Sequence, residues 1–140
     1  MIILDTNVIS ELMRPKPSAR VVAWVAKQSV TELFTTSITE AEIFYGIELH
    51  AKGQRRVELL AAADAMFAED LADRVFGFES DAARAFSSIA VRRRALGRPI
   101  SHADAQIAAI AQVRGAKLAT RNVDDFLDCG LDVFDPWNDS

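Results

Sequence analysis

Five short apolar segments alternate along the chain with longer segments of helical pattern. The short segments are mostly rich in β-branched, aromatic or leucine residues, which is typical of strands: 1–5, 33–37, 74–78, 117–120 and 131–134. The longer segments predict helices: 18–28, 39–51, 54–72, 80–96 and 101–115, with a shorter one at 123–128. Strands that alternate with helices of this length predict βαβ units and a largely parallel sheet.

Capping residues indicate where several of these helices begin and end. Ser18, Thr39 and Ser101 are placed as N-terminal caps, and Gly97 and Gly115 are placed where helices stop. The helix after Ser18 is predicted to have a broad apolar face: Val21, Val22, Trp24 and Val25. We therefore expect amphipathic helices packed against the sheet.

Polar residues recur where a strand-like segment gives way to a helix-like one: Asp5, Glu42, Asp104 and Asn122. In an open parallel sheet, the carboxyl ends of the strands and the first turns of the following helices converge on one crevice. Several carboxylates from distant parts of the chain are therefore expected to share a small pocket. Their mutual repulsion would be tolerable there only with a cation bound.

Each acid also has a purely structural interpretation. Glu42 follows Thr39 at the spacing of a capping box, in which its side chain would bond back to the Thr39 N–H. Asp104 follows Ser101 at the same spacing, and Asp5 is itself a residue type that caps helices. It is the combination of the three acids that indicates a site.

A group of carboxylates suits Mg²⁺ or Mn²⁺, which prefer oxygen ligands and usually keep several waters. Zinc fits less well, because His50, His102 and Cys129 are the only softer ligands and none has zinc-site spacing. No serine or cysteine is paired with an evident base, so attack by a metal-activated water is the simplest route. Such a site predicts phosphodiester hydrolysis.

Composition limits the remaining possibilities. The chain has 140 residues, half of them hydrophobic, so we expect one domain over 1–140 with a substantial core. The net charge of −4 argues against a broadly basic surface but allows a locally basic rim around an acidic site. Cys129 is the only cysteine, and we find no signal peptide or membrane-spanning segment. These features predict a cytoplasmic protein with no membrane partner.

Four segments that contain the candidate site residues follow one another along nearly the whole chain: MIILDTNVIS at 1–10, ITEAE at 38–42, ADAQIA at 103–108 and ATRN at 119–122. In sequence and in order, these segments closely resemble the PIN-domain family. More narrowly, the chain resembles VapC-type toxins of type II toxin–antitoxin systems, and FDPW at 134–137 resembles the FitB-like subgroup. The resemblance implies a three-layer α/β/α sandwich with a mainly parallel sheet and a Mg²⁺- or Mn²⁺-dependent endoribonuclease.

The resemblance also implies roles for single residues. Asp5, Glu42 and Asp104 match the three principal acids of the family, with Asp5 and Asp104 as direct metal ligands and Glu42 acting through water or orienting the nucleophile. The family often has a fourth acid where this chain has Asn122, which brings hydrogen bonds but no charge. Asp124 or Asp125 is close enough in sequence to replace that acid.

Supporting and substrate-binding residues are also predicted. Thr6 and Asn7 are expected to position the carboxylates, or simply to begin a helix, and Arg121 is the basic residue best placed to contact substrate. The consecutive arginines at 92–94 are expected to form mostly a solvated face. One metal or two, and the RNA target, stay open.

Partners are implied by the family resemblance. A cognate VapB-like antitoxin is expected to bind an apolar groove formed by positions 8–13, 21–26 and 43–49, and to insert a basic side chain into the acidic pocket. A homodimer and a toxin–antitoxin hetero-oligomer are also expected. Core packing is the other explanation for these apolar positions.

Three other functions compete with the nuclease. A haloacid-dehalogenase-like phosphatase needs a second aspartate two positions after Asp5, where this chain has Asn7. A nucleotide-binding or dehydrogenase domain needs a glycine-rich phosphate loop, which is absent from the sequence. The strongest competitor is a catalytically silent PIN-like protein that binds RNA or a partner, because Asn122 has already replaced one acid.

Overall fold

The computed structural model, which describes residues 1–138, contains five strands that all pair in parallel. The strands are β1 (Ile2–Leu4), β2 (Leu33–Thr36), β3 (Val75–Phe76), β4 (Lys117–Ala119) and β5 (Val133–Phe134). Their spatial order is β3-β2-β1-β4-β5. Each predicted strand segment contains one of these strands, so the prediction of a parallel sheet is confirmed.

The strand order places a crevice beside β1. From β1 the chain adds β2 and β3 on one side, whereas β4 and β5 lie on the other side. Ile2 pairs with both Leu33 and Lys117, and Leu4 pairs with Ala119. Where the strand order changes direction in this way, a crevice opens at the carboxyl ends of the two strands on either side of the change. Residues that directly follow β1 and β4 therefore lie next to each other.

Within residues 1–138, six α-helices connect the strands: α1 (Thr6–Leu12), α2 (Ala19–Lys27), α3 (Ser37–Glu48), α4 (Gln54–Ala65), α5 (Ser80–Ala95) and α6 (His102–Arg114). Ser18 caps α2 and Ser101 caps α6, while Gly115 ends α6 in the left-handed conformation with φ of 63°. The predicted helix 54–72 changes to a π-helical turn at Met66–Asp70, and the predicted helix 123–128 is a short 3₁₀ turn, Val123–Phe126.

The predicted start of the third helix is wrong. Helix α3 begins at Ser37, two residues before Thr39, because the Thr36 side chain accepts a hydrogen bond from the Thr39 N–H at 3.1 Å. Thr36 therefore serves as the N-cap that the sequence analysis assigned to Thr39. The shift rules out a capping box between Thr39 and Glu42.

Hydrophobic residues form two cores, one on each face of the sheet. Ile3 faces a core that includes Ile107, Ile110, Leu118 and Phe126. Leu4, one residue later and therefore on the opposite face, joins a second core that includes Val8, Ile9, Val21, Trp24 and Ile43. Helices α5 and α6 cover the first face and α1 to α4 cover the second. The fold is a three-layer α/β/α sandwich, as predicted.

The second core accounts for many apolar residues that were assigned to a partner-binding groove. Val8, Ile9, Val21, Trp24, Ile43 and Ile47 are buried within the domain. Val22, which was predicted to lie on the apolar face of α2, is 42% exposed. The apolar side chains left at the surface of these segments include Val22, Tyr45 and Leu49.

No helix within residues 1–138 is long and apolar enough to cross a lipid bilayer.

Arg93 differs from the solvated face predicted for the arginines at 92–94, because it is only 4% exposed. Its Nε donates to the Arg98 carbonyl oxygen at 2.8 Å, and its Nη1 donates to the carbonyl oxygens of Asp125 at 2.6 Å and Leu127 at 3.2 Å. No carboxylate among residues 1–138 forms an ion pair with it. Backbone dipoles therefore satisfy this guanidinium, and α5 is tied to the segment that follows β4.

Replacing Arg93 with methionine is expected to destabilise the protein by about 2–3 kcal/mol, because buried carbonyl groups would lose their donors. The measurement is urea unfolding of Arg93→Met, with Arg92→Met as the matched control. Arg92 is exposed, so its replacement is expected to change the free energy of unfolding by less than about 0.5 kcal/mol. Equal stability of the two variants would contradict a structural role for Arg93.

Candidate active site

Asp5 lies directly after the central strand β1 and is only 4% exposed. As the N-cap of α1, it accepts a hydrogen bond at Oδ1 from the Thr6 N–H at 2.8 Å. Its Oδ2 accepts from Thr120 Oγ1 at 2.7 Å and from Asn7 Nδ2 at 3.2 Å. Burial nevertheless raises the pKa of the Asp5 carboxyl, and the charge of Glu42 acts in the same direction. The fold thus holds a carboxylate where ionisation is unfavourable.

Thr120 belongs to the site but was not predicted from the sequence. Its hydroxyl donates to Asp5 and accepts from Asn7 Nδ2 and from the Asn122 N–H, both at 3.1 Å. The Asn7 Oδ1 in turn accepts from the Arg121 N–H at 3.0 Å. This network joins the ends of β1 and β4. The available signal was the position of Thr120 after β4, which corresponds to that of Asp5 after β1.

Glu42 reaches the same region from α3. Its Oε1 accepts a hydrogen bond from Thr6 Oγ1 at 2.7 Å, and the Thr6 hydroxyl also lies 3.1 Å from that of Thr39. Glu42 therefore does not cap its own helix but is linked to α1. Thr6 both begins α1 and holds this carboxylate, so the two alternatives predicted for Thr6 coexist.

Asp104 lies in the first turn of α6. Its N–H donates to the Ser101 Oγ at 3.2 Å, so one half of the predicted capping box is present. Burial, together with the negative charges of Asp5, Asp125 and Glu42, raises the pKa of the Asp104 carboxyl from 3.8 to about 6. Asp104 therefore lies within the electrostatic reach of the other acids.

One cavity of about 310 Å³ brings these side chains together, and we call it the acidic cavity. It is lined by Asp5, Thr6, Asn7, Ser10, Glu42, Asp104 and Asn122. Six of these seven residues were singled out from the sequence, and Ser10 is the addition. Residues separated by more than a hundred positions thus form one pocket at the predicted edge of the sheet.

A second cavity, of about 340 Å³, adjoins the acidic cavity at Asn122 and contains the other residues considered for the site. It is lined by Arg121, Asn122, Val123, Asp124, Asp125 and Asp135. The Arg121 guanidinium lies over the Trp137 ring, 5.0 Å from its centroid. Asn122 therefore lines the acidic cavity, whereas Asp124 and Asp125 line only the second cavity.

The donor set of the acidic cavity suits a hard divalent cation. Its charged groups are all carboxylates, and the pKa values of Asp5 and Asp104 are raised mainly by burial and further by the charges of neighbouring acids, which no lining cation offsets. Among residues 1–138, no three histidine, cysteine, aspartate or glutamate side chains are arranged to chelate one ion together. Mg²⁺ usually binds through one or two carboxylates and keeps its other ligands as water. Asp5 and Asp104 fit that mode of binding.

Comparison with known proteins places this architecture in a family. A family model described as PIN domain matches residues 2–129. The chain is 37% identical over 137 residues to VapC ribonuclease Y4jK of Sinorhizobium fredii, with 98% of each chain covered. It is 34% identical over 139 residues to toxin FitB of Neisseria gonorrhoeae, covering 99% of this chain and all of FitB.

A solved structure is also similar to this chain. The crystal structure of FitAcB from Neisseria gonorrhoeae contains a chain that superposes with a TM-score of 0.91 at 34% identity, and the match covers 99% of each chain. The strand order, the converging carboxylates and these similarities agree. The chain belongs to the PIN-domain family, within its group of VapC- and FitB-type toxins.

Proposed function

We propose that this protein is a Mg²⁺- or Mn²⁺-dependent endoribonuclease and the toxin of a VapBC-type toxin–antitoxin pair. The observation that carries the proposal is the acidic cavity, in which Asp5 from the end of β1, Glu42 from α3 and Asp104 from α6 converge. The similarity to a VapC ribonuclease over almost the whole chain supports the same activity.

The chain's own residues divide the catalytic work. Asp5 and Asp104 would hold the metal ion, which when bound supplies a Lewis acid that acidifies water and stabilises charge at phosphorus. Glu42, held by Thr6, would orient the attacking water and accept its proton. Asn122 offers an amide to the same cavity, and Asn7 and Thr120 fix the orientation of Asp5.

We also propose an antitoxin partner. The solved relatives include FitAB and VapBC complexes bound to DNA, which supports a VapB-like partner and a toxin–antitoxin hetero-oligomer. A toxin homodimer within that assembly is part of the same proposal. The acidic cavity suits a basic side chain from that partner, because its three carboxylates face no cation among its lining residues. The toxin would act in the cytoplasm, where its RNA substrate is found.

Cleavage of RNA is expected to require a divalent metal and the acidic cavity. The measurement is cleavage of total cellular RNA by the purified protein with Mg²⁺ or Mn²⁺, compared with EDTA and with an Asp5→Asn, Asp104→Asn double variant. That variant nearly preserves shape but removes two charges, and activity is expected to fall by at least about 100-fold, the scale on which positioned catalytic groups act.

Two results would count against this proposal. Cleavage that persists in the double variant would place the activity at another site or in a contaminant. A wild-type protein that binds RNA without cleaving it would favour the catalytically silent binding protein, to which the neutral Asn122 also points.

The metal-free protein is expected to become less stable as the pH rises from about 4 to about 7. Because the folded-state pKa of Asp104 is raised from 3.8 to about 6, the folded state binds more protons than the unfolded state between those values. Asp104→Asn removes this ionisation and is expected to raise Tm at pH 7 in EDTA and to flatten the pH dependence. The measurement is thermal unfolding from pH 4 to pH 8.

Asp64→Asn is the control for this experiment, because Asp64 is exposed on α4 and lies outside the acidic cavity. It is expected to leave Tm at pH 7 nearly unchanged. If Asp104→Asn lowers Tm at pH 7 in EDTA, then Asp104 stabilises the fold and the pocket does not hold uncompensated charge.

Co-expression with a small open reading frame adjacent to the gene is expected to yield a stable complex in which ribonuclease activity is suppressed. The reason is that a basic side chain in the acidic cavity would compete with the metal for the same carboxylates. Size-exclusion chromatography and RNA cleavage by the purified complex are the measurements. A complex that cleaves RNA as fast as the free protein would show that the partner binds elsewhere.

A further inference from the structure

A third cavity, of about 300 Å³, opens from the acidic cavity on the side away from Asn122. The two cavities share Thr6, Ser10 and Glu42. From there the third cavity runs between α1, α3 and α4, and its remaining charged or polar side chains are Arg14, His50 and Arg55. We call it the basic groove. Its direct connection to the carboxylates makes it a path along which a substrate chain could continue.

The two flanks of the acidic cavity carry opposite charge. The cavity beyond Asn122 has three aspartates and one arginine, and that arginine is engaged with Trp137. The basic groove has two arginines, and its only acid is Glu42, which it shares with the acidic cavity. A polyanion is therefore attracted along the basic groove and repelled from the opposite flank.

Arg55 is the arginine best placed to receive a phosphate. It is exposed and forms no ion pair with another of residues 1–138. Its neighbour Arg56 is paired with Glu48 at 3.0 Å, and Arg14 is paired at 3.2 Å with the largely buried carboxylate of Glu11. The charge of Arg55 is thus the least committed within the groove.

Gly46 leaves open space in the wall of the basic groove. It lies inside α3, where glycine is less favourable than alanine, yet its backbone needs no positive φ. A Cβ built on it meets no atom within 4 Å, so close packing does not explain the glycine. Glu42, Gly46 and His50 follow one another at four-residue spacing, so the open glycine lies between the carboxylate and the basic end.

We infer that the basic groove binds the nucleotide that adjoins the scissile phosphate of a single-stranded RNA. Arg55, with Arg14, would contact its phosphate, and the open space above Gly46 would accept its base or ribose against Met13 and Leu59. This inference rests on the proposed ribonuclease function. A partner that offers a basic side chain to the carboxylates fits the acidic cavity, whereas the arginines of the groove favour an anionic chain.

Arg55→Gln removes the phosphate contact and leaves the carboxylates in place. We expect it to raise KM for a single-stranded oligoribonucleotide about 5-fold with kcat within about 2-fold, and to reduce the slope of log affinity against log salt by about 1. Arg92→Gln is the matched control, because Arg92 is also exposed but lies on α5 outside the three cavities. It is expected to leave KM unchanged.

Gly46→Leu tests the groove by filling it. It is expected to weaken RNA binding at least about 5-fold. Gly46→Ala, which adds only one methyl group and favours the helix, is expected to retain most of the affinity. Thermal unfolding of both variants checks that the fold is preserved. Normal RNA affinity in a folded Gly46→Leu variant would overturn the inference.

RNA affinity is also measured without turnover, by fluorescence anisotropy of a labelled 12-nucleotide single strand with Asp104→Asn protein in Mg²⁺. Loss of affinity on adding Arg55→Gln, but not on adding Arg92→Gln, supports the groove even if the wild type proves unable to cleave RNA. Equal affinity of the two variants, or no RNA binding at all, overturns the inference. In that case the groove is left for a protein partner.

Discussion

Uncompensated negative charge at the junction of β1 and β4 is the constraint on which the rest of this structure depends. Asp5 is buried there, and burial raises its pKa despite three hydrogen bonds to the carboxylate. The polar groups around Asp5 therefore fix the position of the carboxylate but do not offset the free-energy cost of burying its charge. A divalent cation would supply the missing compensation, which makes the metal-free state the electrostatically strained one.

Helix ends reduce part of that cost. Asp5 is the N-cap of α1, and Asp104 lies in the first turn of α6, so each carboxylate is near the positive end of a helix dipole. Glu42 lies farther along α3 and is instead held by the Thr6 hydroxyl. The two acids proposed as metal ligands thus both lie at helix N-termini, whereas the acid proposed to act on the water lies within its helix and is held by a side chain.

The arginines show how one residue type serves different purposes on one small domain. Arg93 is buried among backbone carbonyl oxygens, Arg56 is paired with Glu48, and Arg121 lies over Trp137. Arg55, with no such engagement among residues 1–138, projects from α4 into the basic groove. An acidic protein with a net charge of −4 can therefore still present a locally basic path to a polyanion.

The sequence alone determined the succession of strands and helices along the chain, the parallel sheet, and six of the seven residues that line the acidic cavity. It could do so because burial of short β segments and the position of a residue after a strand are local properties of the chain. It also indicated the family, through motifs that depend on residue type and order.

Only the tertiary structure decided the roles of several residues whose local sequence allowed more than one role. Thr36 caps α3 in place of Thr39, Arg93 is buried where a solvated face was expected, and Thr120 holds Asp5 across 115 positions of sequence. Asn122, and not a neighbouring aspartate, completes the cavity. These outcomes depend on contacts between segments far apart in the chain. The free energy of such contacts depends on distances in the folded structure, which the periodicity and composition of the sequence do not reveal.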